Sequence, residues 1–192
     1  IPTVGNDQLI GCVGAIDQYR GDKKVHLVIS LNPLPETEEQ AVVTKRICDF
    51  ALESSDMKVT WEESPRALGF GGAVNAGFEA LKKNGGVPPV CIILNDDTLP
   101  SVGWLDGLCR AFDAETCVHL TDPEEQSFHI SGYGKVGIVG PVSSGVWRDQ
   151  RINADVPVHL LEQFSADYMR DNEGYYPTTE VISGFCMALK RE

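Results

Sequence analysis

Positive charge is scarce in this chain. Of its 192 residues, 16 are Lys or Arg and 28 are Asp or Glu, which leaves a net charge of −12 at pH 7. A chain that acidic lacks the basic footprint that neutralises nucleic-acid phosphates, and this points away from nucleic acid as a partner. Long apolar runs are also lacking. The fullest, such as Val90-Cys91-Ile92-Ile93-Leu94, fall far short of the roughly 20 residues of a bilayer-spanning helix. No leader with a basic start and an apolar centre is visible. Low-complexity tracts and internal repeats are absent, and with 42% hydrophobic residues the chain can bury a sizeable core without disulfides.

Several chemical signatures are missing. None of the six cysteines (Cys12, Cys48, Cys91, Cys109, Cys117, Cys186) forms a C-x-x-C pair, which argues against structural zinc. They fall among apolar residues and read as small buried hydrophobes in a reducing compartment. His26, His119, His129 and His159 are scattered, with no H-E-x-x-H, and read as surface or satisfied core residues. The Gly-Lys-Ser/Thr of a phosphate-binding P-loop is absent. Trp147 could stack on a sugar ring, although a lone Trp in a loop more often packs locally.

What is present is an alternation of periods. Pro2-Thr3 reads as the tail of a strand. Asn6 can cap a helix carrying Leu9, Val13 and Ile16 at i, i+4 and i+7. Val25 to Leu31 is a β-branched apolar run and reads as a buried strand. Thr37, followed by Glu38 and Glu39, suits a helix start, with Val43, Ile47 and Phe50 as the expected apolar stripe. Met57 to Trp61 reads as a strand, and Pro65 to Gly72 as an irregular, glycine-bearing stretch. Val74, Phe78 and Leu81 mark a helix, Val90 to Leu94 a strand, and Leu105, Leu108 and Phe112 a further helix. Such alternation predicts right-handed βαβ units: an α/β fold with a mostly parallel central sheet and helices on both faces. The second half is less regular. Residues 113–135 read as irregular, with Thr121 to Glu125 as a loop. Val136 to Val139 reads as a short strand, Val158 to Met169 as a helix and Val181 to Leu189 as a strand. One domain over 1–192 is expected. Ile1 and Lys190-Arg191-Glu192 both read as cut from something longer, with the start of the first strand and a C-terminal segment missing.

Ligands of open α/β sheets sit beyond the carboxyl ends of the strands. There Asn95-Asp96-Asp97-Thr98 leaves the Val90 to Leu94 strand directly. Adjacent carboxylates repel unless a cation or several donors neutralise them. Hard oxygens suit Mg²⁺ or Mn²⁺, which take one or two carboxylates plus phosphate oxygens. An ordinary helix-entry turn with Asp as the cap fits the same residues. The stretch Leu68 to Gly77, with Gly69, Gly71, Gly72 and Asn75, offers close backbone approach and a helix N-terminus that favours phosphate. As a dinucleotide fingerprint it fails, because Val74 stands where the third glycine belongs.

Taken together, these stretches resemble the inverting glycosyltransferases of family 2, rhamnosyltransferase-like enzymes with the GT-A fold. Ile1-Pro2-Thr3-Val4-Gly5-Asn6 is similar to their I-P-T-Y-N opening. Ala67 to Gly77 is similar to N-x-G-F-x-G-x-x-N-x-G. Leu94-Asn95-Asp96-Asp97-Thr98, with Gly103-Trp104-Leu105 behind it, is similar to their version of the D-x-D motif. Val136 to Pro141 resembles V-G-x-V-G-P, and Ser183 to Glu192 resembles S-G-x-x-M-x-x-R-R-E. The five pieces run in order from residue 1 to 192.

The resemblance implies a metal-dependent transfer of a sugar from a UDP-, dTDP- or GDP-linked donor to a hydroxyl of a glycan, lipid-linked or protein acceptor. It implies that Pro2 and Thr3 line the base pocket. Arg66 with Gly69, Gly71 and Gly72 borders base and diphosphate, and Asn75 lies at the helix start. Asn95 and Asp96 face ribose or diphosphate, and Asp97, with Asp96 beside it, is the ligand of Mn²⁺ or Mg²⁺. Ser183, Gly184 and Phe185 lie near donor sugar or acceptor. Asn32 stands where the family often has an acidic base contact, Ala67 where it has Asn, and Val4 where it has Tyr. The family's general base lies in an acidic motif downstream of Glu192; Asp155, Asp167 and Asp171 are available here, with nothing to single one out. The implied location is the cytoplasm, with any membrane attachment in a segment outside this chain. Two other readings fit the residues: a non-catalytic nucleotide-sugar or carbohydrate-binding domain, and a sugar nucleotidyltransferase. The second would need a basic triphosphate loop, and Val4-Gly5-Asn6-Asp7 has no Lys or Arg.

Overall fold

The β-branched run ending at Leu31 forms the middle of a parallel sheet. Strands β1 (Pro2–Thr3), β2 (His26–Leu31) and β3 (Lys58–Glu63) pair in the order β1-β2-β3. Pro2 lies opposite Ser30 and Thr3 opposite Leu31, and β3 matches β2 from His26↔Lys58 to Leu31↔Glu63. From Leu27 onward every residue of β2 is buried, as expected for a strand covered on both faces. The computed structural model describes all residues but 65, 115–116, 121–127, 132–135, 147–149, 153 and 192, with the side chains of 35, 117–120 and 128–131 outside the description as well. Pro65, the Thr121 to Glu125 loop and Trp147 therefore lie outside the described residues.

Helix α1 (Gln8–Tyr19) begins where the sequence supplies a cap. Asn6 Oδ1 accepts from the backbone N–H of Gln8 at 3.0 Å and of Leu9 at 3.4 Å. Its buried face is Leu9, Cys12, Val13 and Ile16. A 3₁₀ turn at Pro35–Thr37 leads into α2 (Glu38–Ala51), which packs on α1. The expected apolar stripe of α2 is overturned. Ala41, Thr44 and Cys48 are the buried residues, while Val43, Ile47 and Phe50 are exposed, Phe50 by 78%. Close approach of two helices selects small side chains on the inner face. Burial raises the Cys48 thiol pKa to about 11, with Asp49 adding to the effect.

Helix α3 (Gly69–Lys83) packs on β1, β2 and β3. Its start corrects a second expectation: Gly69 to Gly72 form the first turn of the helix, not a loop before it. Among the described strands, β3 has a ladder partner on one side only. Its outer neighbour is α2: Lys45 pairs with Glu63 and sits 5.4 Å over the Trp61 ring, and Trp61 Nε1 donates to Asp49 at 2.8 Å.

The chain divides into two units, Ile1–Pro88 with Ile93–Pro100, and Pro89–Ile92 with Ser101–Glu192. Strand β4 (Val90–Leu94) runs across the division and is half-buried up to Leu94, which is fully covered. In the second unit, α4 (Trp104–Phe112) buries Leu105, Leu108, Ala111 and Phe112. Strands β5 (Cys117–Leu120) and β6 (Phe128–Ser131) form an antiparallel pair inside the stretch expected to be irregular. Strand β7 (Ile138–Val139) pairs antiparallel with β8 (Cys186–Lys190), in a sheet of order β4-β8-β7. The expected strand from Val181 is thus confined to Cys186–Lys190. A 3₁₀ turn at Val158–Leu160 precedes α5 (Leu161–Asp171), close to the expected helix. Gly103, with φ of +76°, admits α5: a Cβ there would stand 2.5 Å from Met169 Sδ.

The architecture is thus α/β, with a three-stranded parallel sheet flanked by helices. Among the described residues no helix is long and apolar enough to cross a membrane.

Candidate functional site

The last residue of β1, the loop after it and the turn after β4 meet at one carboxylate. Asp96, in the turn after β4, accepts two hydrogen bonds on Oδ2: one from the Thr3 hydroxyl and one from Asn6 Nδ2 at 2.9 Å. Thr3 Oγ1 accepts in turn from the Gly5 N–H at 2.9 Å. The turn itself is closed by Thr98 N–H on the Asn95 carbonyl at 3.3 Å, and the Cys12 thiol donates to the same carbonyl at 3.6 Å. Thr3 is buried, so its hydroxyl serves Asp96 and the Gly5 amide inside the unit. The sequence marks Asn6 as a helix cap and as the end of the opening motif, with no role at the site. Its second task joins residues 90 positions apart, which no local spacing signals.

Asp97 differs from its neighbour. It is exposed, and among the described residues no hydrogen bond or ion pair engages its carboxylate. The two adjacent acids therefore stand in contrasting surroundings: one half-buried and held by two donors, the other open to solvent.

Asn32 follows β2 and is only 6% exposed. Its Nδ2 donates to the Arg66 carbonyl at 2.6 Å, and its Oδ1 accepts from the Leu68 N–H at 2.6 Å. The amide is spent on the loop between β3 and α3, which it ties to the end of β2. Ser64 Oγ donates to the same Arg66 carbonyl at 2.8 Å. The Arg66 side chain is exposed and, among the described residues, unpaired. Gly69 (φ +65°) and Gly71 are exposed at the start of α3, and a Cβ on either would meet nothing within 4 Å. Packing thus leaves the first turn open to solvent, with its leading N–H groups unpaired within the helix. Gly72 is different, because a Cβ there would stand 2.8 Å from Leu68 Cβ. Phe70 on the same turn is 51% exposed, a feature the sequence reading did not single out. Asn75 lies one turn further along α3 and is exposed. Pro2 is half-buried in β1.

Ser183, Gly184 and Phe185 belong to the second unit, just before β8. Buried Gln150 holds them: its Oε1 accepts from the Ser183 N–H, and its Nε2 donates to the Pro141 carbonyl at 2.8 Å. Of the available acids in that unit, Asp167 is bonded to Gln163 and Arg170, which hold its carboxyl below the usual range, and Asp171 pairs with Arg170.

Among the described residues no three of His, Cys, Asp and Glu come together as a metal cluster. A hard divalent ion near Asp97 would find carboxylate oxygens but not a full shell of protein donors. That donor set suits an ion that shares its coordination with phosphate oxygens and water, and not one caged by protein alone. The chain matches no family model, no curated protein and no solved structure.

Proposed function

We propose that the chain carries the donor site of a glycosyltransferase of the GT-A type, similar to the inverting enzymes of family 2. The site would take a nucleotide-diphosphate sugar together with Mn²⁺ or Mg²⁺. The observation that carries this reading is Asp97: an exposed carboxylate without a partner among the described residues, at the carboxyl end of a strand, beside an acid that is already satisfied. The open first turn of α3 and the exposed Arg66 guanidinium, unpaired among the described residues, support it.

Each feature has a chemical use in that reading. Asp97 would hold the ion, with Asp96 beside it. A bound Mn²⁺ or Mg²⁺ offsets the negative charge that grows on the leaving diphosphate. The first N–H groups of α3 point along the helix axis with its positive end, and donate well to phosphate oxygens. Glycine at 69 and 71 keeps that approach free of side chains. Arg66 adds the one positive side chain among the proposed site residues. The acceptor would be a hydroxyl that attacks the anomeric carbon in one inverting step, and its proton needs a carboxylate base. No residue of this chain is assigned that task, and Ser183, Gly184 and Phe185 are kept as the proposed sugar or acceptor segment.

Calorimetric titration of UDP-, GDP- and dTDP-sugars, with and without Mn²⁺, tests the reading on the wild-type chain and on Asp97→Ala. Metal-dependent binding of one donor that disappears in Asp97→Ala is the expected result. Binding indifferent to metal and to Asp97 would overturn the metal assignment, and no binding of any donor would overturn the donor site.

A further inference from the structure

The two adjacent acids after β4 have different structural surroundings, and we infer that Thr3 and Asn6 are positioning residues that reserve Asp96 as a brace and leave Asp97 alone to take the ion. The inference rests on the donor-site reading and deepens it.

The direction of both donors is determined by what else they bond. Thr3 Oγ1 accepts from the Gly5 N–H at 2.9 Å, so its own proton is free to point at Asp96. Gly5 is itself held in place: φ is +84°, and the space a Cβ would need is taken by Ala41. Asn6 Oδ1 accepts from Gln8 N–H and Leu9 N–H at the start of α1. Those bonds decide the amide's orientation, because a flipped amide would set NH₂ against two N–H donors. Asn6 Nδ2 must then face Asp96, where it lies 2.9 Å from Oδ2.

Oδ2 of Asp96 thus receives two neutral donors aimed by the backbone of β1 and α1. The turn 95–98 is tied to the sheet through Asp96. The Asp97 carboxylate then projects from an anchored turn. Thr3 and Asn6 reach Asp97 only through Asp96 and the turn; loss of a partner bonded directly to a ligand typically weakens metal affinity about 10–100-fold, and about 10-fold is expected here.

The test compares UDP binding with and without Mn²⁺ by calorimetry, using the wild-type chain, Thr3→Val, Thr3→Ser and Asn6→Ser. Thr3→Val keeps the shape and removes the hydroxyl. Asn6→Ser keeps a helix cap and removes the amide donor. The expected result is a metal-dependent gain in UDP affinity that shrinks about 10-fold in Thr3→Val and in Asn6→Ser. UDP binding without metal gives each variant its own baseline for that gain, and Thr3→Ser restores the gain. A role in stability alone would lower the melting temperature and leave the ratio of the two affinities unchanged; that outcome overturns the inference. So does a ratio equal to the wild type in both variants. Should Thr3→Val fail to fold, Asn6→Ser decides by the same ratio. A wild-type chain with no metal-dependent UDP binding overturns the donor-site reading, and the inference with it. Wild-type binding with unaffected variants overturns the inference alone.

Discussion

Gly5 and Ala41 leave no room for a methyl group between them. A Cβ on Gly5 would stand 2.5 Å from the Ala41 Cβ and 2.6 Å from its Cα. Gly5 joins β1 to α1, and Ala41 lies on the inner face of α2, so the contact sets how closely α2 lies against the end of the sheet. Gly5→Ala meets both this overlap and a left-handed φ of +84°. The expected cost is about 2–4 kcal/mol, from overpacking and backbone strain together. Urea unfolding measures it. Adding Ala41→Gly should return only part, because the strained φ remains.

Asn32 is expected to matter for the loop it holds. Asn32→Ala leaves the Leu68 N–H without its side-chain acceptor and the Arg66 carbonyl with Ser64 Oγ as its remaining donor, at a cost of about 1–3 kcal/mol. Hydrogen exchange at the Leu68 amide should accelerate more than exchange in β2. Asn32→Asp keeps an acceptor for Leu68 but turns a carboxylate oxygen on the Arg66 carbonyl. Its folded pKa is then raised, so its penalty should be smallest at acidic pH and grow as pH rises.

The outer stripe of α2 predicts a contrast between neighbours. Phe50→Ser, at a position 78% exposed, should change stability by less than about 0.5 kcal/mol. Cys48→Ser places a hydroxyl at a fully buried site and should cost about 1–3 kcal/mol unless it finds a partner. Thermal melts of the two variants check the inversion of the expected stripe directly.

His26 gives the fold a pH dependence. Burial lowers its pKa below the ordinary 6.5, and Lys58 acts in the same direction. The neutral ring, 2.9 Å from Thr60 Oγ1, is therefore the form the fold prefers. The stabilisation is complete above the unfolded value and is lost as pH falls through the lower folded value. Melting temperatures taken from about pH 7.5 down to about pH 5.5 should fall more steeply for the wild type than for His26→Gln.

The first unit was legible where hydrophobicity and period agreed. Leu9, Val13 and Ile16 lie on the buried face of α1, and the run to Leu31 became the central strand. On α2, apolarity alone does not identify the buried face, because the space there selects for size. The close contact at Gly5 admits Ala41, and Thr44 is buried with Gln40 Nε2 3.3 Å from its hydroxyl. Val43 and Ile47 are too bulky for that face. The start of α3 escapes the sequence pattern because glycine is a poor helix former, so three glycines in four residues suggest a loop. Of the proposed site, the Asn95 to Asp97 turn was visible as a polar break after an apolar strand. The division of labour between Asp96 and Asp97 was not. It depends on hydrogen bonds from Thr3 and Asn6, more than 89 positions away, that no linear pattern carries.

The one-sided pairing of β3 has a bearing on how copies of this chain behave when crowded. A bare strand edge invites a further strand to dock, and repeated docking leads to ordered aggregates. Lys58 and Glu63 are exposed at the two ends of this strand, and Lys45 caps its far end across the indole of Trp61. A second copy laid along β3 in parallel register would set Lys58 against Lys58 and Glu63 against Glu63, whereas an antiparallel copy would set Lys58 against Glu63. The same charges that tie α2 to the sheet thus disfavour one direction of stacking and permit the other.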